Sequence, residues 1–393
     1  MQLRGILLGT GLLLGAGAVF FAQQKELPAP FATPSANNRP RVIPQPQGAK
    51  LDVPAGFQIE IWHEGFKVPR FMMLGPNNEI LLSDSADAPD GSVYVLQGKE
   101  RKQLITGLHR PYGLALHEGW LYVGEPESIK RYKYDSKAMT AGPGQEVVAL
   151  KGNPNFSRGH WTRSILFAND GSRFCVGVGS GSNVDAGEDP RRAAIDCYNP
   201  DGSGHEIYAS GTRNPIGLRW YPGTNSLWAA VQERDALGDD LVPDYFTHIQ
   251  KGGFYGWPYA YAGPHEDPRR KGERPDLVAK TIQGDVLLGS HVAVLDFIFY
   301  TGKQFPKEYQ GGAFLAFHGS WNRSMRVGQS VAFIPFKDAK PSGPITEVVK
   351  GWMLGPDKRD VWGRPVGLLQ LPDGSLLISD DGNNRIWHLS YKG

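Results

Sequence analysis

The chain has 393 residues, 40% of them apolar, which is enough for a sizeable core. Lys and Arg number 42 against 40 Asp and Glu, so the net charge is +2 and composition makes no case for nucleic-acid binding, which needs a basic patch or stripe. The 50 Gly and 30 Pro are spread along the chain and point to many turns, not to one disordered tract.

At the amino terminus Arg4 precedes an apolar run from Ile6 to Ala22. A charge followed by an apolar stretch is the plan of a secretory signal, and the run falls short of the ~20 residues of a spanning helix. Residues 1–22 are therefore read as a signal peptide or an N-terminal anchor. That places the rest in the periplasm or outside the cell, with membrane contact only through this segment. Export permits disulfides. Cys175 and Cys197 fall in neighbouring strands of one local unit, and either a disulfide or two buried thiols fits that placement. Residues 23–50 contain Pro28, Pro30, Pro34, Pro40, Pro44 and Pro46 and read as an extended linker.

From Leu51 onward short apolar runs recur, each led by a Gly/Pro/Asn/Asp turn. The starts are Gly75 (GPNNEILLSDS), His117 (HEGWLYVGE), Asn169 (NDGSRFCVGVG), Pro222 (PGTNSLWAAVQ), Tyr309 (YQGGAFLAFHG) and Pro372 (PDGSLLISDDG). Most follow another strand, as in PYGLALH, TRSILFA, PIGLRWY and PVGLLQL. One pattern used six times predicts an all-β fold, a six-bladed β-propeller over residues 51–393. The longest insertions lie at 180–196 and 232–290, and loops on one face of the ring are the natural place for function.

Four polar stretches stand where blade strands meet those loops. GHWTRSILF carries His160, a base near neutral pH, and Arg163. ASGTRNPIGLRW carries Arg213 and Asn214; an arginine fork suits carboxylates or phosphates. VQERDALGDDLVPDYF carries Glu233, Asp235, Asp239, Asp240 and Asp244, an oxygen-rich loop that suits a hard cation such as Ca²⁺, and reads equally as a solvated acidic loop. FHGSWNRSMRVG and WGRPVGL add Arg323, Arg326 and Arg364. With Arg70 and Arg110 these arginines converge on one channel mouth if the blades are equivalent, where they would repel one another unless an anion sat among them. No HExxH or CxxC pattern is present, which argues against zinc.

HWTR, SGTRNPIGL, ERDALGDDLVPDY, GGFYGWPY, HGSWNR and GRPVGLLQLPDGSLLISDD, in that order, resemble the glucose/sorbosone dehydrogenase family, the soluble quinoprotein sugar dehydrogenases, and most of all their sorbosone-dehydrogenase-like branch. The resemblance implies a six-bladed propeller, pyrroloquinoline quinone at the channel mouth and an external electron acceptor, a quinone or a cytochrome. It implies oxidation of an aldose or sorbosone-type sugar at C1, with His160 as general base and Arg213 beside the reacting oxygen. Arg163, Arg213, Asn214, Arg323 and Arg364 would hold the cofactor. Ca²⁺ would lie against the backbone carbonyls of Arg234 and Asp235, beside Glu233. Glucose-oxidising members carry Gly-Pro where this chain has Arg234-Asp235, and their substrate loops differ, so glucose specificity does not carry over. Two other readings fit a propeller: a lactonase-type hydrolase holding Ca²⁺ through Asp380 and Asp381, and a non-catalytic envelope propeller that binds carbohydrate or protein.

Overall fold

Short half-apolar strands cannot bury a face alone, and here they pair into six antiparallel sheets packed radially. The computed structural model describes residues 20–21 and 26–393. The innermost strands of the six blades are Pro69–Leu74, Leu114–His117, Arg163–Phe167, Asn214–Trp220, Val294–Phe299 and Pro365–Gln370. Each touches the next, and the last touches the first, around a central channel. The second strands are the six turn-led runs of the sequence: Ile80–Asp84, Trp120–Glu125, Phe174–Val178, Leu227–Gln232, Ala313–Phe317 and Leu376–Asp380.

The ring closes through the chain's two ends. Phe57–Glu64 pairs antiparallel with Arg385–Tyr391 and completes the last blade. Closure removes the open edges that would otherwise template aggregation. Glycine lets the inner strands approach closely. A Cβ at Gly113 would meet Arg163 O at 2.2 Å, and one at Gly367 would meet Arg70 O at 2.2 Å. Between blades the core is aromatic and aliphatic; Phe246 meets Trp228 at 4.8 Å and Phe297 at 4.6 Å between ring centres.

Three features refine the sequence reading. Pro243–His248, which looks like part of an acidic loop, is a strand of the fourth blade that pairs with Leu227–Gln232. Pairing there turns Asp244 inward, where it is buried. The insertion that follows is not free: Gly253–Phe254 pairs in parallel with Ala209–Ser210, the outer edge of the third blade. The proline-rich stretch is extended, but from Leu27 onward it is laid along the propeller, and Arg41–Val42 pairs with Asp360–Val361. Cys175 and Cys197 oppose one another on adjacent strands and form a disulfide. The leader or anchor read at residues 1–22 lies outside the described residues, apart from Phe20–Phe21.

Candidate active site

The antiparallel order puts the starts of the inner strands, and the turns after the second strands, on one face. Loops from the third, fourth and fifth blades meet there around a cavity of about 70 Å³, with His160, Arg213, Glu233, Asp235, His291 and Trp321 on its wall. That volume holds a few waters, a cation or the edge of a ring. A larger hollow of about 580 Å³ lies beside Glu125 and Lys130, which pair with each other; no buried polar atom without a partner lines it. Volume therefore does not single out the site; what does is the meeting of His160, Arg213 and a carboxylate oxygen of Glu233 without a partner on one wall.

His160 stands just before the inner strand of the third blade. Its Nδ1 is 2.9 Å from Ser180 O and 3.1 Å from Ser180 Oγ. Because the Ser180 hydroxyl is spent on Ser182 O, Nδ1 is the donor and Nε2 carries the lone pair. Burial, and then the guanidinium of Arg213, hold the imidazole well below the ordinary histidine range, so it stays neutral. Gly179 is required beneath it: a Cβ there would lie 2.4 Å from His160 Cβ and 2.3 Å from Asn214 Oδ1.

Arg213 donates to Glu233 O at 2.6 Å and Asn183 Oδ1 at 3.0 Å, and pairs with Asp235 Oδ2 at 3.0 Å. The other Asp235 carboxylate oxygen accepts from Asn322 Nδ2 at 2.6 Å. Asn322 also reaches His291 Nδ1 at 3.1 Å, while His291 Nε2 donates to Gly238 O. Burial lowers the His291 pKa, so this ring is neutral as well. Asp244 accepts from Glu233 N and Val294 N, and burial pushes its carboxyl up to about 7. Asn214 donates to Gln232 Oε1 at 2.9 Å, which leaves its own Oδ1 buried and without a partner; Glu233 Oε1 is in the same condition.

Several assigned roles change. Arg163 is fully buried, spends four of its five N–H groups on the carbonyls of Phe156, His160, Thr162 and Pro126, and does not line the pocket, so it braces the His160 loop from within the core. Arg234 is a buried brace too, bound to Glu233, Asp267, Pro258 O and Ala260 O. The Asp235 carbonyl, expected on a metal, already accepts from Asn183 Nδ2 and Arg269 Nη1, which fills its two lone pairs. Of the arginines only Arg213 lines the pocket, and several of the others are neutralised by internal carboxylates. Arg70 pairs with Asp381, Arg110 with Asp87 and Arg323 with Asp240, while Arg326 and Arg364 donate to carbonyls. The repulsion that called for a polyanionic ligand is thus relieved at Arg70, Arg110 and Arg323, while the carbonyl bonds of Arg326 and Arg364 leave their charge in place. Asp380 and Asp381 are spent as well: their four oxygens meet Arg364 N, Trp387, His318 and Arg70. The pair expected to hold the hydrolase's metal is thus engaged internally and lies off the pocket.

His291, Trp321, Asn322 and Gln232 were not drawn from the sequence. His291 occupies, ahead of the fifth inner strand, the place that arginine takes in other blades, and Trp321-Asn322 sit inside HGSWNR, from which only Arg323 was taken. The donor set fits two kinds of group. A hard cation takes oxygen ligands; Glu233 lines the pocket with its Oε1 unpaired, and among the described residues no group of three or more His, Cys, Asp or Glu side chains is arranged to hold a metal. A planar conjugated ring fits Trp321, an aromatic left 38% exposed at the wall.

A family model described as TrAA12-like matches residues 51–244 and 276–392. An uncharacterized protein of Borreliella burgdorferi is 28% identical over 354 residues, covering 87% of this chain and 91% of that one. The pyrroloquinoline quinone-dependent pyranose dehydrogenase of Coprinopsis cinerea is 23% identical over 410 residues, covering 88% of this chain and 55% of that protein. The chain thus spans about half the length of that enzyme. The solved holo form of the pyranose dehydrogenase PQQ domain from Coprinopsis cinerea superposes with a TM-score of 0.72 at 18% identity, covering 88% of this chain and 98% of that domain.

Proposed function

The chain belongs to the TrAA12-like family, and from that premise we propose that it is a quinoprotein dehydrogenase acting on an aldose or sorbosone-type sugar at C1. The observation that carries the proposal is His160. It is a neutral histidine with Nδ1 locked and Nε2 free, on the wall of a pocket that also holds an unpaired carboxylate oxygen.

Bound pyrroloquinoline quinone would supply the two-electron acceptor for the substrate hydride, with Ca²⁺ as the Lewis acid beside it. Trp321, Asn322 and Arg213 are the groups that would hold the quinone. Glu233 Oε1, in place of the Asp235 carbonyl, would meet the cation. His160 Nε2 takes the proton of the substrate hydroxyl, and the Ser180 carbonyl steadies the imidazolium that forms. Arg213 would stabilise negative charge on the reacting oxygen through the N–H it does not spend on Asn183, Glu233 and Asp235, and its pairing with Asp235 keeps its fork aimed. Turnover calls for an external electron acceptor, a quinone or a cytochrome. The leader read in the sequence would place the protein in the periplasm or outside the cell.

The test adds pyrroloquinoline quinone and Ca²⁺ to the purified protein and follows dye reduction with a panel of aldoses and sorbosone. Saturable cofactor binding with sugar-dependent reduction supports the proposal. Cofactor binding without turnover on any sugar would refute the sugar assignment. No binding at all would leave a non-catalytic envelope propeller as the better reading.

A further inference from the structure

The proline-rich strap crosses the face that carries the site. Phe31 N donates to Leu237 O at 2.7 Å, and Thr33 Oγ1 accepts from Asp239 N at 2.7 Å. It then meets the 321–326 loop, which has no regular hydrogen-bonded structure of its own and brings Trp321 and Asn322 to the pocket.

One strap residue makes most of that contact. Asn38 N donates to Trp321 O at 2.7 Å. Its Nδ2 donates to Arg323 O and Ser324 O, both at 3.1 Å. Arg326 Nη2 returns two bonds, to Asn38 O at 2.7 Å and Asn38 Oδ1 at 3.1 Å. The guanidinium of the next residue, Arg39, lies 5.4 Å from the centre of the Trp321 ring. Every hydrogen-bonding group of Asn38 is thus spent on a loop some 280 positions away.

We infer that the strap is part of the ligand site and that Asn38 is a positioning residue, fixing Trp321 and Asn322 in the geometry that receives a bound planar ligand. The inference rests on the quinoprotein reading for the ligand's identity. A loop ordered in advance spares the ligand the cost of ordering it. Fixing a side chain on binding costs on the order of 1 kcal/mol, so freeing Trp321 and Asn322 weakens binding roughly tenfold or more.

The test uses the full chain with Asn38→Ala, Asn38→Asp and, as a control on the strap away from the loop, Gln45→Ala, whose side chain bonds Ala49 O and Arg385. Asn38→Asp keeps the acceptor for Arg326 and so preserves the fold while removing the two donors. Two readouts are taken: amide hydrogen exchange of residues 321–326 without cofactor, and titration of pyrroloquinoline quinone with Ca²⁺ followed by absorbance. The expected result is faster exchange confined to 321–326 and roughly tenfold weaker cofactor binding in both Asn38 variants, with Gln45→Ala like the parent. Unchanged exchange at 321–326, or faster exchange with unaltered affinity, overturns the inference. If the parent chain itself binds no quinone, the functional reading fails and exchange alone decides whether Asn38 holds the loop.

Discussion

At His160 two forces act in the same direction. Burial penalises the charged ring, and Arg213 repels it. A free histidine is half protonated near pH 6.5. A lowered pKa keeps the base form below that point, so His160 should add no inflection to kcat/KM between pH 8 and 6.5. An inflection near 6.5 that vanishes in a His160 variant would contradict this. An inflection near 7 that Asp244→Asn removes belongs instead to the neighbouring carboxyl, which burial raises to about 7. His160→Ala should cut turnover by about 10²–10⁴-fold while quinone affinity changes little; lost affinity would make His160 a ligand. Arg163→Ala should behave in the opposite way. It leaves four carbonyls without their donor and costs about 3–5 kcal/mol in urea unfolding, with cofactor affinity of the folded protein unchanged. His160 and Arg213 were legible in the sequence because each stands before an inner strand. Arg163 misled for a physical reason: a buried guanidinium bracing carbonyls and one waiting for a carboxylate look alike until their partners are known.

The six turn-led strands were legible because a Gly/Asn/Asp turn and a short β run follow from local chemistry. The strand Pro243–His248 was not, since its acidic and proline residues resemble a loop and only pairing with Leu227–Gln232 shows otherwise. The attachments of the strap and of the 249–285 insertion were equally hidden, because both depend on partners distant in sequence. The disulfide belongs to this scale as well. It ties the second and third strands of the third blade, 22 positions apart, beneath the loop that carries Ser180. Loops of this order give a chain-entropy effect of about 3 kcal/mol. The double variant Cys175→Ala, Cys197→Ala should therefore unfold in urea with about 2–4 kcal/mol less stability. An unchanged midpoint would mean that strand pairing alone holds the blade.

Across the whole molecule, the closed ring is what lets three blades present loops to one pocket. The last blade depends on a strand from the other end of the chain, Phe57–Glu64 against Arg385–Tyr391. Ending the chain after Asn384 should expose two unpaired edges and abolish cooperative unfolding, read as loss of a single thermal transition by circular dichroism. A truncated chain that still melts sharply would show that closure is dispensable. The ring was legible from its repeat, whereas the pairing of several arginines with internal carboxylates was not, and that shifts the site's character from an anion trap to a small pocket walled by Glu233, Trp321 and a neutral His160. The central claim is that this pocket receives a quinone. The most direct measurement is an absorbance titration of the purified full chain with pyrroloquinoline quinone in the presence of Ca²⁺. The account predicts saturation at one quinone per chain, weakened when Ca²⁺ is chelated and when Trp321 is replaced by Ala. A spectrum that stays additive at every ratio would contradict it.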